Sequence, residues 1–122
     1  MMATLGAGAG LADEIGRQDY MQGCAGCHGE SGMGSGPLAE FLTVEPPDLT
    51  TLSADNGGSF PMLDVIHVID GRTELRAHGG PMPIWGAIFK RQALMEGAMG
   101  AAEAEARGRI LSIAYYLESI QK

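Results

Sequence analysis

The chain has 122 residues, enough for one domain with a core of its own. Its net charge of −7 disfavours nucleic acid and anionic membrane surfaces as partners. A protein partner with a basic docking face is the natural counterpart, although solubility alone accounts for the charge equally well. Only 6% of residues are aromatic and 19 are glycine. Glycine raises the entropy cost of folding, so a bound apolar group is expected to complete the core.

In chain order, residues 3–12 (ATLGAGAGLA) are small or apolar and uncharged. They look like the tail of a secretory signal, with a small-residue cleavage site near Ala12. A glycine-alanine tail is the competing reading. Residues 1–12 are therefore set apart as a tail or signal-peptide remnant, and residues 13–122 as the domain. No run of about 20 apolar residues predicts a membrane span.

A helix is expected from Asp13 to Gly23, with Ile15, Tyr20 and Met21 at apolar positions. It leads into Cys24-Ala25-Gly26-Cys27-His28, the only cysteines in the chain. The spacing C-x-x-C-H attaches a c-type haem: two thiols add across the porphyrin's two vinyl groups, and the adjacent histidine becomes the proximal iron ligand. The competing readings fit less well. Zinc needs four ligands, and neither a second C-x-x-C nor a closely spaced pair of histidines is present. A thioredoxin-like pair belongs near a βαβ pattern, which is missing here. A disulfide between residues three apart closes too small a loop to gain much.

Residues 29–37, with Gly29, Gly32, Gly34, Gly36 and Pro37, predict a loop. A helical turn is expected at 38–42, then an extended Pro46-Pro47-Asp48-Leu49, with Thr50 or Thr51 capping another short helix. Pro61 starts a helix over 62–69, with Leu63, Val65, Ile66 and Ile69 on a buried stripe. A strand competes there because of the β-branched residues. Residues 78–83 (HGGPMP) cannot be regular structure, 87–93 predict a helix, and 101–119 predict the strongest one. In that last helix Ile110, Ile113, Ala114 and Leu117 recur at helical spacing, flanked by Tyr115 and Tyr116. The fold class is all-α, with short helices around a cofactor.

A low-spin carrier needs both axial positions of iron filled, and a methionine thioether raises the potential. Among eight methionines, Met82 stands between Pro81 and Pro83, whose fixed φ presents a side chain rigidly. Met33 lies in the glycine loop, Met62 leads a helix, Met95 and Met99 precede the last helix, and Met1, Met2 and Met21 precede the haem motif. For any methionine, core filling competes with ligation. His78 is the rival sixth ligand, and His67, on an apolar stripe, reads as a packed histidine.

These features together resemble a bacterial class I (mitochondrial-type) cytochrome c over nearly all of the chain after residue 12. CAGCH resembles that family's attachment site, and GGPMPIWG (residues 79–86) its methionine-ligand loop, M-P-x-W-G. Gly16 and Tyr20 match the glycine and aromatic of its first helix, which the resemblance crosses with a C-terminal helix at Tyr116-Leu117, Tyr115 being the other candidate. The resemblance further implies a proline carbonyl accepting a hydrogen bond from His28, with Pro37 the candidate and Pro46 or Pro47 the alternatives. It implies Trp85 at the haem edge, and it makes Arg72 a propionate candidate against a solvated surface arginine. In charge this sequence departs from the mitochondrial members, which are basic, so their lysine-ringed docking surface does not carry over.

The expected function is a non-enzymatic, periplasmic, soluble one-electron carrier with haem c bound through Cys24 and Cys27 and iron held by His28 and Met82. Two other readings stay open: the cytochrome subunit of a periplasmic dehydrogenase, and a haem sensor with a labile sixth ligand.

Overall fold

A computed structural model describes the backbone of residues 9–73 and 82–122 and the side chains of residues 14–73 and 82–122. His78, most of the 78–83 loop and most of the N-terminal tail lie outside these ranges. The described residues are helical and contain no strand. Helix α1 runs over Ala9–Gly23, α2 over Ala25–His28, α3 over Leu52–Asp55, α4 over Met62–Asp70, α5 over Trp85–Met95 and α6 over Ala102–Ser119. Short 3-10 turns occur at Ala39–Phe41 and Leu49–Thr51.

Helix α6 is the hub, packing against α1, α5 and α4. Its first turn carries Glu103 and Glu105, which suit the positive end of the helix dipole. Ala102, Ala106, Ile110, Ile113, Ala114, Tyr116 and Leu117 form its buried stripe. The crossing with α1 is close because Gly16 has no side chain: a Cβ there would collide with the Ser112 carbonyl and crowd the Ile113 nitrogen. One turn further on, Tyr20 is fully buried and its ring meets that of Tyr116 at 5.3 Å between centroids. Tyr116 is thus the aromatic of the crossing, while Tyr115 faces solvent.

Two ion-paired contacts tie the frame together. Arg109 on α6 donates to both carboxylate oxygens of Asp19 on α1, at 2.7 and 3.0 Å, and lies 3.8 Å over the ring of Phe89 on α5. Glu103 receives Arg72, Lys90 and Arg107 at 2.9–3.3 Å.

Local differences from the sequence reading have physical causes. Helix wins over strand at 62–70 because Val65 and Ile69 share one buried face against the core, and Gly71 closes the helix in the left-handed region at φ 69°. Leu63 lies off that face and is exposed, and Ile15 on α1 is likewise exposed. Thr51 stands at the N-cap position of α3 without a side-chain capping bond. The 3-10 turn before it is capped by Asp48, whose carboxylate accepts the Thr50 N–H at 2.8 Å and the Thr50 hydroxyl at 2.6 Å. Those bonds hold the Asp48 pKa below its ordinary value.

Candidate haem site

The C-x-x-C-H residues form the single turn of α2, directly after α1. Cys24 and His28 are buried and Cys27 is half-buried, and neither cysteine is in a disulfide. The glycine-rich loop folds back along this turn. Gly34 donates its N–H to the His28 carbonyl at 2.7 Å, Gly36 to Cys27 at 3.1 Å and Leu38 to Gly26 at 2.8 Å. Two glycines permit this. Gly34 has φ +90° and packs against the Pro46 carbonyl, and a Cβ on Gly36 would strike the carbonyls of α2. The buried hydroxyl of Tyr20 donates to the Gly29 carbonyl at 2.6 Å. Burial, then Cys24 and Tyr116, push the Tyr20 pKa up, so this hydroxyl stays a donor.

Beside α2 lie two adjoining cavities of about 310 and about 190 Å³. Both are bordered by Cys24, His28, Pro47 and Met82, which makes them parts of one cleft. The first adds Cys27, Leu42, Val44, Pro46 and Trp85, and the second adds Leu49, Val65, Ile69, Ile113 and Leu117. The walls are predominantly apolar, as a porphyrin plate requires. Two thiols for attachment and an adjacent imidazole for the iron are the groups that covalently attached haem requires, and the Met82 thioether borders the same cleft.

The rival chemistries of the cysteines fit this geometry poorly. Burial, then Asp19 and Cys27, push the Cys24 thiol up to about 12. Reactive redox dithiols need the opposite shift. Among the described residues, no group of three or more His, Cys, Asp or Glu is placed to hold a metal ion.

Trp85, at the start of α5, lies over α1: a Cβ on Gly23 would sit 2.7 Å from its ring. It stacks on Phe89 at 5.4 Å between centroids. Pro37 has an exposed ring but a backbone held beside α2 by the bonds of its neighbours Gly36 and Leu38. Pro46 and Pro47 line the cleft itself. Arg72 is not brought to the cleft. Its guanidinium is bonded to Asp70 at 2.7 Å and to Glu103 at 2.9 Å, in a groove that also contains His67. The sequence reading missed the cleft's second wall, contributed by Val65, Ile69, Ile113 and Leu117. Their helical periodicity marked them as core without showing that this core opens onto the α2 turn.

A family model described as Cytochrome c matches residues 14–106, so the chain belongs to the cytochrome c family. No curated protein and no solved structure matches it. The protein is accordingly a haem-based electron-transfer protein, carrying haem c covalently through Cys24 and Cys27. Members of this family generally transfer electrons to redox partners and are not enzymes. Among the described residues, no helix is long and apolar enough to cross a membrane.

Proposed function

We propose that this cytochrome is a soluble, exported class I one-electron carrier of bacterial type, with His28 and Met82 as its two axial ligands. Bound haem c supplies a reversible one-electron change at its iron. The protein's own residues then have three tasks: to keep ligation constant, to exclude water and to leave an edge open to a partner.

The observation that carries the reading is that Met82 borders both cavities that His28 borders. The described methionines Met33, Met95 and Met99 are exposed, and Met21 and Met62 border neither cavity. His28 stands on a buried turn whose carbonyls are tied to the following loop, which fixes the backbone that carries its imidazole. In this reading the Pro37 carbonyl, fixed in that loop, accepts from the second ring nitrogen of His28 and sets its tautomer. Trp85 closes the cleft beside Gly23 and lowers water access. Arg72 has no part in cofactor binding here, because its guanidinium is already engaged. Residues 13–122 make up the haem domain, the residues before it are an N-terminal tail or a signal-peptide remnant whose last residues, 9–12, continue into helix α1, and the protein works in the periplasm.

Replacing Met82 by Ala tests the ligand assignment. The variant is expected to keep its covalent haem, to lose the absorption signature of iron–thioether bonding, and to bind carbon monoxide rapidly when reduced. Its potential should fall, since a thioether ligand raises it. An unchanged spectrum in Met82→Ala would show that another group fills the sixth position.

A further inference from the structure

The segment after α2 has an unusual surface. Phe41 is 76% exposed, Val44 54% and Leu38 52%. The other exposed apolar residues do not line the cleft: Met33 is in the preceding loop, Leu94, Met95 and Met99 form a second group at the end of α5, and Ile15, Leu63, Leu111 and Tyr115 are on α1, α4 and α6. Leu38, Phe41 and Val44 fall within seven consecutive residues. They are placed by the hydrogen bonds from Gly34, Gly36 and Leu38 to the turn that carries the cofactor. Val44 and Glu45 reach the cleft wall, so this surface is continuous with the site. Its charge is of one sign: residues 29–48 contain Glu30, Glu40, Glu45 and Asp48 and no Lys or Arg. Lys122 touches the segment at one end, through the Met33 sulfur at 3.9 Å. Four of the chain's other cations lie elsewhere, three around Glu103 and one on Asp19.

We infer that residues 38–45 form the electron-transfer docking face, and that its partner is a redox protein presenting an apolar patch ringed by Lys and Arg. This rests on the carrier reading above and adds where the partner sits and what it looks like. An exposed aromatic amid small apolar neighbours is the composition of an interface centre. Acidic residues beside it steer a basic surface into place and set the salt dependence of encounter. The same charges disfavour a second copy of this chain, which would bring acid against acid, and an anionic lipid surface.

Two inorganic oxidants serve as probes: the aromatic, cationic tris(phenanthroline)cobalt(III) complex and the anionic hexacyanoferrate(III). In each case one electron leaves the reduced holoprotein, taking Co(III) to Co(II) or Fe(III) to Fe(II) in the complex. The readout is the ratio of the two oxidation rates, which cancels changes in the haem's own reactivity. At low salt, Glu40→Lys/Glu45→Lys should lower that ratio by about tenfold or more. Phe41→Ser should lower it several-fold without altering charge. Reversing two acids remote from the segment, Glu96→Lys/Glu105→Lys, should change it by less than about twofold. If the remote pair lowers the ratio as much as the local pair, only net charge matters and the docking face is refuted. A concentration-dependent dimer that Phe41→Ser abolishes would also overturn the inference, by making a second copy the occupant. Failure of the reduced holoprotein to be oxidised by either complex would sink the carrier reading instead.

Discussion

The helical frame and the segment from Gly29 to Leu49 are built on different principles. In the frame, α1, α5 and α6 bury Tyr20, Phe89, Ile110 and Ile113 almost completely and close the surface with the Asp19–Arg109 and Glu103 ion pairs. The segment buries little of its apolar content and is held by backbone hydrogen bonds to α2, by the packing of Gly34 on Pro46 and by the Asp48 cap. The difference separates two jobs. The frame supplies stability by burial, and the segment supplies a shaped, exposed edge whose order depends on the turn it is tied to. The cofactor cleft lies where the two meet.

Substitutions can break that division at different depths. The largest effect is expected in the frame, at the α1–α6 crossing. Gly16→Val places a branched side chain against the Ser112 backbone, which cannot yield as a flexible side chain would. It should cost about 3 kcal/mol and lower the Tm by roughly 10 °C, seen by thermal unfolding of the holoprotein. An unshifted Tm would show that the helices do not cross here.

Tyr20→Phe probes the junction. It keeps the ring packed on Tyr116 and removes only the donor to Gly29. A buried carbonyl losing its partner costs about 1–2 kcal/mol. The loss should show in chemical denaturation and should loosen the segment, as faster amide exchange at Gly32, Gly34 and Gly36. If exchange there stays at the wild-type rate, the segment does not depend on the tie.

Arg109→Ala removes both the Asp19 pair and the contact over Phe89, and a loss of about 1–2 kcal/mol is expected from the denaturation midpoint. Arg109→Lys should recover only part of it, because an ammonium cannot match both oxygens of the carboxylate.

The smallest effect concerns pH. Hydrogen bonds from Arg72, and then from Lys90 and Arg107, hold the Glu103 carboxyl at about 2, against an ordinary 4.5. A depressed folded-state value means that the unfolded chain takes up the proton first. The contribution is therefore full above about 4.5 and is lost as pH falls toward about 2. Glu103→Gln should show a flatter Tm–pH profile across that window, and added salt should narrow its gap from wild type. Parallel profiles would remove Glu103 from the account.

Much of this was legible in the sequence because strong local signals agreed. C-x-x-C-H fixed the chemistry of one wall of the cleft, and the spacing of Ile110, Ile113, Ala114 and Leu117 marked the hub helix. Gly16 and Tyr20 were readable as a crossing only through family resemblance, since a glycine inside a helix has no meaning until its partner is known. What stayed hidden was set by long-range placement. Nothing local distinguishes Leu63 from Val65, or says that Arg72 faces Glu103, 31 positions away, rather than the cofactor. The Asp48 cap was obscured because the neighbouring threonines have the same capping chemistry, and only the backbone path decides between them.

The most direct test of the whole account is the intact mass and visible spectrum of the protein made in cells whose c-type maturation machinery is active. The account predicts the polypeptide plus one haem, resistant to acidic organic extraction and lost from Cys24→Ser/Cys27→Ser. A colourless protein of unmodified mass, or a haem that extracts freely from the wild type, would contradict it.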